Sequence, residues 1–114
     1  MSADYLYENF RRALIEGLHE KYRYLRRNTT IYHNCSFHIN QIREPGNKHD
    51  STNKLIPPPL NGFGFSAPDE PLIRRMLLRF QNETGYVIVN LNNSTFRLSD
   101  TGINYLIGLD PTLE

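Results

Sequence analysis

The sequence has little cysteine and no long apolar run, and each shortage excludes a class of protein. Cys35 is its one cysteine among 114 residues, which excludes an internal disulfide and a zinc site built mainly of thiolates. A domain without disulfides is expected in a reducing compartment. No stretch approaches the roughly 20 apolar residues of a membrane-spanning helix, so we expect no membrane contact. The first residues lack the basic and apolar pattern of a secretory signal, which predicts a cytoplasmic protein.

Net charge is also small, although it is unevenly distributed. Thirteen Lys and Arg residues stand against 12 Asp and Glu residues, a formal charge of +1. Residues 1–54 hold nine basic against six acidic side chains, or +3, and residues 55–114 hold four against six, or −2. Any surface for a polyanion must therefore be a local patch. The length and the apolar fraction of 39% predict a single domain over 1–114 with one modest core.

The first segment, from Ala3 to about Arg27, has the periodicity of an amphipathic helix. Its apolar residues recur every four positions at Leu6, Phe10, Leu14 and Leu18. This stripe is wide for a chain with little other core, which predicts a homodimer formed through the N-terminal helix. Lys21 falls in the middle of the same face, so we expect the helix to end, bend or leave the core near Gly17–Glu20.

The middle of the chain is extended and then polar. Thr30–His33 and Ser36–Ile42 are rich in β-branched and aromatic residues and are predicted strands. Residues 43–62 include a Pro, Gly, Asn, Asp and Ser stretch, which predicts a flexible loop. The glycine-punctuated segment 61–65 follows, and its Phe63 and Phe65 are expected to anchor it to the core.

The C-terminal half alternates helical and strand patterns. Ser66 is a candidate helix cap, and Gly85 is placed to end the helix that follows. The apolar face between them consists of Leu72, Ile73, Met76, Leu77 and Phe80. Residues 86–91 and 95–98 then predict two strands with a tight turn at Asn92-Asn93, and Ser99 is positioned to cap a last helix.

Residues 72–106 together resemble the last part of a winged helix-turn-helix domain. In that superfamily a basic recognition helix leads into Gly-Tyr-Val, a two-stranded wing and a Leu-Ser/Thr-x-x-Gly helix start. Here these pieces are the basic helix at 74–80, Gly85-Tyr86-Val87 and Leu98-Ser99-Asp100-Thr101-Gly102. The resemblance covers about 40 residues and implies an α+β, winged-helix-like fold. The 40-residue span before the basic helix departs from it, and either hides a short helix near 60–65 or reflects a degenerate helix-turn-helix.

The same resemblance implies binding to duplex DNA. A recognition helix needs one apolar face for the core and one donor-rich face for the major groove, where Arg binds guanine or phosphate and Asn binds adenine. The candidate residues on the helix are Arg74, Arg75, Arg79 and Asn82, and Arg97 on the wing is a candidate for a phosphate. The alternative is that these arginines form an ordinary solvated helix face. Leu78, among them, suits either a thymine methyl or a dimer interface.

A second basic stretch lies at the end of the first helix. Arg23, Arg26 and Arg27 are candidates for contact with the DNA backbone. The favourable interaction of cations with a helix C-terminus accounts for them without DNA and is the better explanation of this stretch.

Evidence for metal binding or catalysis is weak in this sequence. His33, Cys35 and His38 do not match a zinc spacing and are better explained by a buried cysteine with surface histidines. No nucleophile with its base and no phosphate-binding glycine loop is recognisable. We therefore expect no metal, no cofactor and no enzymatic activity. The expected function is a small DNA-binding transcriptional regulator; the alternative is a winged-helix module for protein–protein interaction.

Overall fold

A computed structural model describes residues 3–28, 35–67 and 69–114 of the chain, with side chains from Tyr5 onward. Within those ranges there are three α-helices and one three-stranded antiparallel sheet, which confirms the α+β class. The α-helices are α1 (Ala3–Asn28), α2 (Glu70–Thr84) and α3 (Asp100–Leu109); the strands are β1 (Ser36–His38), β2 (Val87–Asn90) and β3 (Thr95–Leu98). The strand order in the sheet is β1-β3-β2. In the described part of the chain, no helix has the length and apolar character needed to cross a bilayer.

Helix α1 is continuous over 26 residues, so the interruption expected near Gly17–Glu20 is wrong. The reason is that the core accommodates Lys21, whose side chain is 2% exposed. Its Nζ donates to the carbonyl oxygen of Gly62 at 2.9 Å and lies 4.3 Å from the centre of the Phe63 ring. A buried ammonium that has an acceptor and an aromatic face does not force the helix out of the core.

The apolar stripe of α1 is buried within its own chain. Phe10, Leu14 and Leu18 are at most 2% exposed and belong to the core that α2 and the sheet complete. The face on which the predicted homodimer depended is therefore not available to a second copy. Dimerisation itself stays an untested prediction.

The predicted strand Ser36–Ile42 ends early, at His38, and a 3-10 helix follows at Ile39–Arg43. His38 Nδ1 accepts the backbone N–H of Asn40, and the Gln41 side chain accepts that of His38. This reciprocal cap, together with the burial of Ile39 and Ile42 three residues apart, favours the helical turn over a longer strand. The strand predicted at Thr30–His33 lies outside the described residues.

The segment after this turn is organised around Asn61, which is 1% exposed. The Asn61 side chain accepts from the backbone of Lys48 at 2.9 Å and donates to the carbonyl of Ile56. The following phenylalanines, Phe63 and Phe65, are buried in the core as expected. The flexibility expected for residues 43–62 remains a prediction.

Helix α2 begins three residues later than the Ser66 cap predicts. Asp69 is the N-cap, and its carboxylate accepts the N–H of Leu72 at 2.8 Å. At the other end Gly85 has φ of 69°, a left-handed conformation that favours glycine and confirms the predicted C-cap. The apolar face is buried as predicted at Ile73, Met76, Leu77 and Phe80, whereas Leu72 is half-buried.

The hairpin of β2 and β3 is confirmed, and so is its turn at Asn92-Asn93: the N–H of Ser94 donates to the carbonyl of Leu91 across these two residues. The connection, 91–94, is longer than the expected two residues, and the residue with positive φ is Ser94, at 54°, and not an asparagine. The carbonyl of Ser94 accepts the N–H of Ile39, so contact with the 3-10 helix helps to fix the turn. The hairpin is also not an isolated two-stranded unit, since β1 pairs with the other edge of β3.

Candidate nucleic-acid interface

The outer face of α2 carries a stripe of polar residues at helical spacing. Arg75, Arg79 and Asn82 are exposed at relative positions i, i+4 and i+7, with Leu78 half-buried between them. Arg75 has no hydrogen bond or ion pair with the described part of the chain. The structure therefore brings three of the sequence-predicted site residues onto one surface.

Arg74, by contrast, joins α2 to the hairpin. Its guanidinium lies 3.0 Å from the Glu70 carboxylate, one turn earlier, and donates to the Ser94 hydroxyl at 2.6 Å. Since two of its donors have partners within the chain, Arg74 fixes the position of the loop 91–94 beside α2.

Arg79 connects α2 to the beginning of α1. Its Nε donates to Glu83 at 3.0 Å, and its guanidinium carbon lies 3.9 Å from the centre of the Tyr7 ring. The Tyr7 hydroxyl donates to the other oxygen of Glu83 at 2.9 Å. Burial is the main cause that raises the pKa of Tyr7 to about 12, and the nearby Glu83 adds to it. The pKa of Glu83 is lowered mainly by the hydrogen bond from Arg79 and also by that from Tyr7.

Arg97 lies on a different surface. On β3 it is the register partner of Ser36 in β1 and Ile88 in β2, and all three side chains are exposed. Their neighbours Phe96 and Leu98 point to the opposite face and are buried in the core with α2. The strand alternation thus separates Arg97 from the arginines of α2 by the thickness of the sheet.

The second basic group is far from this surface. Arg23 is 16 residues after Tyr7 on the same helix, a distance of about 24 Å at 1.5 Å per residue, and Arg79 packs on Tyr7. Arg26 Nε donates to the carbonyl of Leu113, which binds the C-terminal turn to α1. Arg23 and Arg27 are exposed along a groove that also contains two carboxylates, Glu16 and Glu20.

The Leu-Ser-x-x-Gly segment, which carries much of the family resemblance, has a structural role. Ser99 Oγ accepts the N–H of Gly102 at 3.0 Å and donates to the carbonyl of Gly85. Gly102 lies so close to the carbonyl of Tyr86 that a Cβ there would overlap it. One serine and one glycine therefore join the end of α2, the beginning of β2 and the beginning of α3.

The residues considered for metal binding or catalysis are not assembled into a site. Cys35 is 2% exposed, and burial raises the pKa of its thiol to about 12, so the nucleophilic thiolate is disfavoured. His38 caps the 3-10 helix, and His33 lies outside the described residues. Across residues 3–28, 35–67 and 69–114, no three His, Cys, Asp or Glu residues are grouped so that they could bind a metal ion.

Tyr7 and Glu83 are residues of this surface that the sequence did not predict. The one available signal was the i, i+4 spacing of Arg79 and Glu83, which is typical of a helical ion pair. Tyr7 is 76 residues away from Glu83 in sequence, so no local pattern could reveal their contact. Comparisons with protein-family models, with curated proteins and with solved structures find no match to this chain.

Proposed function

We propose that this chain is a winged-helix protein that binds duplex DNA through the outer face of α2 and the loop 91–94. The observation that carries the proposal is the exposed stripe of Arg75, Arg79 and Asn82 on α2. The Arg74–Ser94 hydrogen bond holds helix and loop together as one surface. The helix, hairpin and helix over 70–109 follow the order that the family resemblance requires.

The chemistry of this surface suits a DNA groove. An α-helix fits the major groove, where a guanidinium binds guanine or phosphate oxygens and an Asn amide pairs with adenine. Asn92 and Asn93 add exposed amides in the loop. The surface is smaller than the sequence predicts. Arg74 is bonded to Glu70 and Ser94 within the chain, and four other predicted residues lie elsewhere: Arg23, Arg26, Arg27 and Arg97.

The test is a fluorescence-anisotropy titration of the protein against a labelled random-sequence duplex at two salt concentrations. We expect the logarithm of the affinity to fall with the logarithm of salt concentration by about 0.9 for each phosphate contacted. Arg75→Ala is expected to cost about 1–3 kcal/mol of binding if Arg75 contacts a base. It leaves the fold unchanged, since the side chain is exposed and makes no described bond.

Arg97→Ala and Arg27→Ala are matched controls, because each removes the same charge from an exposed position on another surface. Both are expected to bind nearly as tightly as the wild type. Equal losses in all three variants would contradict the assignment of the surface, and absence of wild-type binding at the lower salt would contradict DNA binding.

One observation favours a protein partner as the second candidate. Residues 69–84 contain three arginines and three carboxylates, and Arg74 and Arg79 are paired with Glu70 and Glu83. This helix is therefore electrically neutral as a whole, which a protein partner tolerates better than a polyanion does. Failure of the DNA titration leaves this interaction module as the better hypothesis.

A further inference from the structure

Both oxygens of Glu83 are engaged by donors at the junction of α1 and α2. One accepts from Arg79 at 3.0 Å and the other from the Tyr7 hydroxyl at 2.9 Å. A guanidinium recognises carboxylate and phosphate oxygens with the same geometry. Glu83 therefore occupies the position in which a phosphate would meet these two donors.

Arg11 supplies a third donor at the same place. It lies one turn after Tyr7 on α1, and its positive charge opposes the rise in the pKa of Tyr7 and adds to the lowering of the pKa of Glu83, as expected of a close neighbour. Its Nε is buried and has no hydrogen-bond partner in the described part of the chain. A buried donor without a partner is costly and calls for an explanation, such as a ligand that supplies the missing acceptor.

We propose that Arg11, Arg79 and the Tyr7 hydroxyl form a binding site for one DNA phosphate, and that Glu83 blocks this site in the free protein. A phosphodiester offers two non-bridging oxygens, which share one negative charge, and two ester oxygens, so it can satisfy Arg11 as well as the two donors that Glu83 engages. The inference rests on the proposed DNA binding. It adds that Glu83 competes with the DNA backbone for this site. Since Arg79 belongs both to this site and to the stripe on α2, a phosphate here would extend the same surface.

Glu83→Gln tests this arrangement, because it removes the negative charge and keeps a side chain of nearly the same shape. With the duplex used above, we expect affinity at the lower salt to rise about threefold to tenfold, the range that one or two exposed ion pairs supply. The salt slope is expected to steepen by about 0.9, as for one more phosphate contact.

The matched control is Glu44→Gln, which makes the same change at a carboxylate of similar exposure that pairs with Lys48 and lies on neither α1 nor α2. Adding Arg11→Met, which keeps the aliphatic stem, is expected to cancel most of the gain made by Glu83→Gln. Circular dichroism confirms that each variant is folded before it is titrated.

The outcomes separate the blocking mechanism from the proposed function. Binding by the wild type that Glu83→Gln tightens and Glu44→Gln does not supports both. Wild-type binding that neither substitution changes, or that both raise equally, overturns the blocking role and leaves DNA binding in place. Absence of binding by every variant overturns the two proposals together.

Discussion

Lys21 brings a positive charge into the core, and its two neighbours explain why the position is tolerated. Its ammonium donates to the Gly62 carbonyl and lies over the Phe63 ring, so the segment around 62–63 is fastened to the middle of α1. Burial is the main cause that lowers the pKa of Lys21 below its usual value of 10.5. The same contact therefore links the stability of the protein to pH.

We expect Lys21→Ala to cost about 2–5 kcal/mol, because it removes a buried stem and leaves the Gly62 carbonyl without its donor. Lys21→Met is expected to cost less, since it keeps the buried volume. Urea denaturation of the wild type and both variants at neutral pH measures these differences. Equal losses in the two variants would contradict a packing role for the stem.

The pH dependence of Lys21→Met has a definite sign. Between the lowered pKa of Lys21 in the folded protein and 10.5 in the unfolded chain, the unfolded state binds more protons, so this residue makes stability rise with pH. The free energy of unfolding of the wild type should therefore increase relative to that of Lys21→Met as pH approaches 10.5. Parallel pH profiles would show that burial does not perturb Lys21.

At the scale of single residues, the sequence revealed charges and spacings but not partners. A helical wheel places Lys21 on the apolar face but does not show its hydrogen-bond acceptor, because that carbonyl is 41 residues away in sequence. The same limit hid the contact of Tyr7 with Glu83. For the same reason the sequence grouped Arg97 with the arginines of α2. The sheet face on which Arg97 lies depends on the pairing of β3 with both β1 and β2.

Among the secondary-structure elements, α1 illustrates how tertiary packing overrides helix propensity. Gly17 lies in the interior of this helix, where alanine is normally better by about 1 kcal/mol. A Cβ at Gly17 would overlap the ring of Phe63, which packs directly on the helix backbone. The glycine is therefore required by the contact with the segment that Lys21 also binds.

We expect Gly17→Ala to lower the free energy of unfolding by about 1–3 kcal/mol, the cost of forcing a larger group into a packed core. The matched control is Gly108→Ala in α3, because a Cβ there meets no atom within 4 Å. That variant should be stabilised by up to about 1 kcal/mol. Thermal unfolding of both checks the prediction, and stabilisation of both would contradict the packing role of Gly17.

The elements of the C-terminal half were predictable because their signals are local. Gly85 and Ser99 cap the helices to which the sequence assigns them, and the apolar spacing of α2 matches its buried face. The 3-10 helix at Ile39–Arg43 was missed because its side chains also bond to distant backbone. Gln41 donates to the carbonyls of Pro59 and Asn61, which are 18 and 20 residues away.

For the molecule as a whole, the buried stripe of α1 bears on oligomeric state. Leu14 is 1% exposed within the single chain, so Leu14→Ala is expected to cost about 2–5 kcal/mol by leaving a cavity. Because the contact is within one chain, this cost should not depend on protein concentration. Chemical denaturation of both proteins over a wide concentration range tests this. A cost that grows with protein concentration and shrinks on dilution would indicate that Leu14 belongs to an interface between copies.

The central claim is that one face of the molecule, the outer side of α2 with the loop 91–94, binds duplex DNA. The most direct measurement is a map of backbone amide chemical shifts of the isotope-labelled protein during titration with a short duplex at low salt. We expect the largest changes in 70–84 and 91–94, with smaller ones near Tyr7 and Arg11. Changes centred on 23–27 or on the exposed face around Arg97, or no changes at all, would contradict it.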